Sequence, residues 1–129
     1  MTAALVCTAL LGLLVFGLGL GVSALRGSTS TNIGHQLDPS DRLHKMVRAH
    51  GNATEYAPML AILMLAIAGR GCTRWMVWTF VAATVFRYLH AAGMLLSSSL
   101  DRPQPLRFVG ALGTYICGML LVLAAFLSL

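Results

Sequence analysis

Charge is scarce in this sequence. Only 10% of its 129 residues are charged, against 57% that are hydrophobic, a balance that excludes an ordinary soluble domain. Acids are the scarcest: there are four, and Glu55 alone lies within an apolar stretch. The net charge of +5 comes from basic residues spread over the ends and interiors of the apolar stretches. They form no single patch, so nucleic acid is not an expected partner. Cysteine is also sparse. Cys7, Cys72 and Cys117 show no CxxC spacing. Cys7 and Cys117 sit in apolar runs and read as small packing residues, and nothing around Cys72 marks a nucleophile. The four histidines share no ligand spacing with the cysteines, so no metal is expected. Serine–histidine–acid spacing and a phosphate-binding glycine loop are absent too.

What the chain does have is four long apolar segments, at about 2–25, 42–68, 75–100 and 106–129. Each is long enough to cross a bilayer, which takes about 20 apolar residues. The expected fold is therefore all-α: one membrane domain over 1–129, built as a four-transmembrane-helix bundle. So small a chain cannot cover that much apolar surface alone, so lipid or sister subunits must cover the rest. The first segment carries no charge from Thr2 to Leu25, lacks a basic start and is interrupted by Gly17, Gly19 and Gly21, so it reads as a span rather than a signal peptide. Gly17 and Gly21 form a GxxxG pair suited to close helix contact, and Gly110, Thr114 and Gly118 form a small-residue stripe in the fourth segment. A Gly/Ser/Thr-rich linker occupies 26–41, with Ser40 or Asp41 placed to cap the next helix. Pro58 frees the carbonyl of Thr54 and is expected to kink the second helix. Trp75 and Trp78 suit a membrane interface. Basic residues concentrate at loops 26–41 and 101–105 and the adjoining helix starts, which places those loops in the cytoplasm and the termini outside.

The second segment opens with Arg48-Ala-His-Gly-Asn-Ala-Thr-Glu-Tyr-Ala-Pro58. At 100° per residue Arg48, Asn52 and Glu55 fall within about 60° of one another, so a cation, an amide and a carboxylate share one stripe of an apolar helix. Such a stripe is costly in lipid and marks a candidate site. Arg87 and His90 share a face of the third segment, Met94 continues it, and Arg107 stands at the start of the fourth. These groups gather toward one side of the membrane. The bland alternatives are an Arg48–Glu55 pair that pins helices together, a neutral His90 satisfied by a neighbouring helix, and an Arg87 balanced by Glu55. The chemical reading is sharper. Arginine forks hold carboxylates, Glu55 can take an ammonium, Asn52 can donate and accept, and an arginine beside a thiol favours the thiolate. The set fits a zwitterionic, peptide-like ligand, with a lipophilic second substrate supplied from the bilayer.

The Arg48–Pro58 stretch resembles the signature of the MAPEG superfamily, the membrane-associated proteins of eicosanoid and glutathione metabolism, whose pattern is roughly Arg-x-x-x-Asn-x-x-Glu early in the second helix. Phe86-Arg87-Tyr-Leu-His90 is similar to its third-helix element, and Pro105-Leu-Arg107 to the basic start of its fourth. The resemblance implies a homotrimer of four-helix subunits in a bacterial inner membrane or the endoplasmic reticulum. Glutathione would lie between neighbours on the cytosolic side, as co-substrate of a transferase or peroxidase acting on small lipophilic electrophiles. By position it assigns glutathione contacts to Arg48, Asn52, Glu55, Tyr56, Arg87 and His90, with Arg26 and His50 as further contacts and Arg107 holding the thiolate. The wheel sets His50 about 160° from Asn52. Two positions depart from the pattern: Met94 stands where several members carry a tyrosine, and Phe108 where some carry a small polar residue. A non-catalytic lipid- or glutathione-binding protein of the same fold is the alternative. A purely structural or transport bundle is a third.

Overall fold

A computed structural model describes residues 1–129 as four helices: α1 (Thr2–Thr29), α2 (Arg42–Gly69), α3 (Arg74–Leu96) and α4 (Pro105–Leu127). All four are long and apolar enough to cross a membrane. Phe16, Leu20, Trp78, Phe108, Met119 and Phe126 are among the many large apolar side chains left on the outside. Lipid or sister subunits have to cover such a surface, since a monomeric soluble protein rarely exposes so much.

α3 packs most extensively on α4, and α1 on α2, while α2 and α3 join the two pairs. In lipid this association draws on close packing rather than on the release of water, and small residues provide it. Ala49, Ala53 and Ala57 on α2 recur every fourth position and are all buried. The α3–α4 contact is closer still. A methyl group added at Gly93 would collide with the backbone of Arg107, one at Gly110 with the backbone of His90, and one at Gly113 with the ring of Phe86. The partners descend α3 as they ascend α4, so the two helices run antiparallel, and His90 and Arg107 face each other across their contact. The expected GxxxG contact in α1 is not made. Within the subunit a methyl group added at Gly17 would meet nothing within 4 Å, and one at Gly21 only the flexible side chain of Met46, at 3.0 Å. α1 instead buries Ala4, Cys7, Leu11, Leu14 and Leu18.

Two helix ends differ from the sequence expectation, and the start of α2 follows it. α1 continues to Thr29, with the hydroxyls of Ser28 and Thr29 donating back to the Leu25 carbonyl at 2.9 and 2.8 Å, and stops at Ser30, whose φ of 52° is left-handed. Asp41 caps α2 by accepting from the His44 N–H at 2.7 Å. α3 ends at Leu96 rather than near Leu100, because Ser97 is extended and its hydroxyl turns to the Ser99 carbonyl. α2 runs unbroken through Pro58.

The two loops on the Arg107 side are tied together. The Leu100 N–H donates to the Pro39 carbonyl at 2.9 Å, and Lys45 Nζ donates to the Ser97 carbonyl at 3.0 Å. Within the first loop the Asp38 carboxylate accepts from the N–H and hydroxyl of Ser40 at 2.8 and 2.7 Å. Those donors hold its pKa below the ordinary 3.8.

Candidate functional site

α4 begins in a way that fixes Arg107. Gln104 is the N-cap, its Oε1 accepting from the Arg107 N–H at 2.7 Å, and Pro105 supplies a first helical residue that has no N–H to satisfy. The Arg107 carbonyl accepts from His90 Nδ1 at 2.9 Å. A carbonyl can only accept, so Nδ1 carries a proton, and whenever the ring is neutral Nε2 is the acceptor. The Arg107 guanidinium reaches back over its own loop, Nη1 to the Leu100 carbonyl at 2.8 Å and Nη2 to the Arg102 carbonyl at 3.1 Å. Two of its five N–H groups are thereby engaged and three remain.

A cavity of about 410 Å³ opens beside this arginine. Arg48 and Asn52 line it from α2, His90 and Met94 from α3, and Arg107 from α4. His44 joins them from the first turn of α2, and Pro39, Leu100 and Asp101 close it from the loops. Four of the sequence-expected residues, Arg48, Asn52, His90 and Arg107, are thus brought together, and Met94 lines the same cavity.

Arg87 is placed differently from the expectation. It is 1% exposed and lies behind Asn52, with Nη2 donating to Asn52 Oδ1 and, at 3.4 Å, to the Asn52 carbonyl. Its guanidinium also stands 5.0 Å from the centre of the Tyr56 ring. Asn52, rather than Glu55, is its hydrogen-bond partner, and Arg87 is not part of the cavity lining. The reason is local: Asn52 and Tyr56 are one turn apart on α2, and both face α3. Because Asn52 Oδ1 is taken, its NH₂ is the end left to donate.

Glu55 projects from the exposed side of α2, one turn beyond Asn52 and outside the cavity lining. Tyr56, whose ring lies against Arg87, also reaches α4, where it shares a 3.0 Å hydrogen bond with the Tyr115 hydroxyl. Arg26 and His50 line a separate groove of about 720 Å³ between α1 and α2, with Phe16, Leu20 and Val47 as apolar walls. The expected site residues therefore fall on two faces of one subunit: Arg48, Asn52, Glu55, His90 and Arg107 on one, Arg26 and His50 on another. The loop contributions escaped sequence reasoning. His44 carries a visible signal, one turn before Arg48, but the carbonyls of Pro39 and Leu100 carry none. No group of three or more His, Cys, Asp or Glu side chains is arranged to hold a metal.

A bundle of four apolar helices that buries an arginine and gathers further basic and amide groups at one end of α2, α3 and α4 defines an integral, multi-pass membrane protein with a polar site at one side of the bilayer. A model of the MAPEG family matches residues 4–127, nearly the whole chain, and the protein belongs to that family. Membership places it among membrane proteins of glutathione and eicosanoid metabolism. No curated protein matches the chain.

Proposed function

We propose that the protein is a membrane-bound glutathione transferase or peroxidase that presents a glutathione thiolate to small lipophilic electrophiles from the bilayer. The observation that carries this reading is the shared cavity of Arg48, Asn52, His90 and Arg107 at the head of α4. Glutathione has two carboxylates, one ammonium, two amides and a thiol. Arg48 supplies a fork for a carboxylate, the Asn52 NH₂ a donor for a carbonyl, and the exposed Glu55 a counter-charge for the ammonium. The three unengaged N–H groups of Arg107 are suited to a thiolate, whose formation a nearby cation favours. The sulfur lone pair then forms a C–S bond to an aryl halide carbon as the carbon–halogen bond breaks and halide leaves.

Arg26 and His50 enter through a neighbour. A homotrimer in which the α1–α2 groove of one subunit abuts the Arg48–Glu55 face of the next would bring them to the ligand. It would also cover two charged side chains that one subunit leaves bare in a membrane helix. The basic residues of loops 26–41 and 101–105 support a cytoplasmic side for this mouth.

A specific observation favours a second reading, a glutathione- or lipid-binding protein without chemistry: Met94 lines the cavity and offers no hydroxyl. Purified protein in lipid nanodiscs decides between them. Glutathione is expected to raise the unfolding temperature and to support turnover of an aryl halide or a lipid hydroperoxide. A thermal shift with neither turnover nor thiolate absorbance would establish the second reading, and no shift with glutathione or with an added lipid ligand would overturn both.

A further inference from the structure

The main chain of Arg107 is held from three sides: Gln104 Oε1 on its N–H, His90 Nδ1 on its carbonyl, and Gly93 pressed against its backbone. Its side chain has no such helix-borne support. Both of its hydrogen bonds go to carbonyls of the α3–α4 loop, those of Leu100 and Arg102. The Leu100 peptide is in turn anchored elsewhere, its N–H on the Pro39 carbonyl of the α1–α2 loop at 2.9 Å. A second tie, Lys45 Nζ to the Ser97 carbonyl at 3.0 Å, fixes the same loop from α2. Pro39, Leu100 and Arg107 all line the one cavity.

We propose that the Pro39–Leu100 tie is a latch that positions the Arg107 guanidinium, so that the α1–α2 loop, which contributes no charged group to the sulfur, sets how well the arginine stabilises a thiolate. One peptide unit carries the coupling. Its N–H faces one loop and its carbonyl faces the arginine, so movement of the first loop turns the acceptor that aims the guanidinium. Hydrogen bonds in line also polarise one another: a Leu100 N–H bonded to Pro39 makes the Leu100 carbonyl a better acceptor. A free arginine would sample many rotamers, and each loses the alignment on which charge stabilisation depends. Leu100 and Pro39 are positioning residues here, and Lys45 braces them.

This inference rests on the proposed glutathione chemistry, and the experiment separates the two. Leu100→Pro removes the N–H, whereas Leu100→Ala keeps it. In nanodiscs at saturating glutathione, the ultraviolet absorbance of the bound thiolate and kcat are expected to fall about tenfold in Leu100→Pro relative to Leu100→Ala, the loss of one aligned hydrogen bond. The KM for glutathione should stay within about twofold, because Arg48 and Asn52 are untouched. Lys45→Ala, which leaves every backbone donor in place, is expected to fall in the same direction by about threefold, and it decides the matter should Leu100→Pro fail to fold. Thiolate and kcat at the wild-type level in Lys45→Ala and in a folded Leu100→Pro would overturn the latch alone. A wild-type protein that binds glutathione without forming thiolate would overturn the latch together with the chemistry it serves.

Discussion

The Arg87 guanidinium on α3 donates to the side-chain oxygen and the main-chain carbonyl of Asn52 on α2, and so locks a buried cation to the residue that opens into the cavity. The pair serves two ends. It gives the Nη2 of a buried cation its acceptors, while Nε is left without one, and it fixes which end of the Asn52 amide a ligand meets.

Asn52→Ala is therefore expected to destabilise the bundle by about 2–3 kcal/mol, the cost of leaving a buried charged donor without its acceptor. Asn52→Asp keeps the acceptor and should cost less. A double-mutant cycle with Arg87→Met, read from unfolding in lipid or mild detergent, should give a coupling of about 1–2 kcal/mol. Additive single mutants would show that the two side chains do not depend on each other.

The α3–α4 crossing gives the next expectation. Gly93→Ala and Gly110→Ala each put a methyl group into the opposing backbone beside Arg107 and His90. Each should cost about 1–3 kcal/mol of stability and disturb the site, since two helix backbones have to part. Gly17→Ala meets open space and should be neutral, or stabilising by about 0.5–1 kcal/mol through the helix preference of alanine. Thermal unfolding of the three variants side by side checks the contrast.

That contrast also shows what the sequence could and could not disclose. Four apolar runs announce four spans because the bilayer sets their length, and the wheel brings Arg48 and Asn52 to one face because a helix has one period. Which glycines make contact is another matter. GxxxG is present in α1, where Gly17 faces outward; of the expected α4 stripe Gly110 does meet α3, but Gly93 and Gly113, which complete the close crossing, depend on how α3 meets α4. Arg87 invited pairing with Glu55 by charge, yet an amide on the facing turn takes its hydrogen bonds. The Leu100 and Pro39 peptides were invisible for a simpler reason: a backbone carbonyl reads the same at every position, and only the folded loops say what it holds.

Arg107 can be dissected by charge and by shape. Arg107→Ala removes both, and should lower kcat by about 100-fold or more while changing glutathione affinity little, if the arginine acts mainly on the reacting sulfur. Arg107→Lys keeps the cation but has no planar fork to span the Leu100 and Arg102 carbonyls, so it should recover only part of that loss. Steady-state kinetics with a saturating aryl halide, together with thiolate absorbance, separate the two contributions. Full activity in Arg107→Lys would mean that position along the fork is immaterial.

The placement of Arg26 and His50 on a different face from Arg48 makes the assembly testable through activity alone. In a closed head-to-tail ring each site takes Arg48 from one subunit and Arg26 from the next. Arg26→Ala and Arg48→Ala should each be nearly inactive as a homo-oligomer. Co-expressed in equal amounts and assembled at random, they should regain about a quarter of wild-type activity, because about one junction in four then joins an intact Arg48 to an intact Arg26. Chains purified separately and mixed without exchange should regain nothing, which excludes a trace contaminant as the source. If both arginines served one subunit's own cavity, every subunit in the mixture would still carry one lesion and no activity would return.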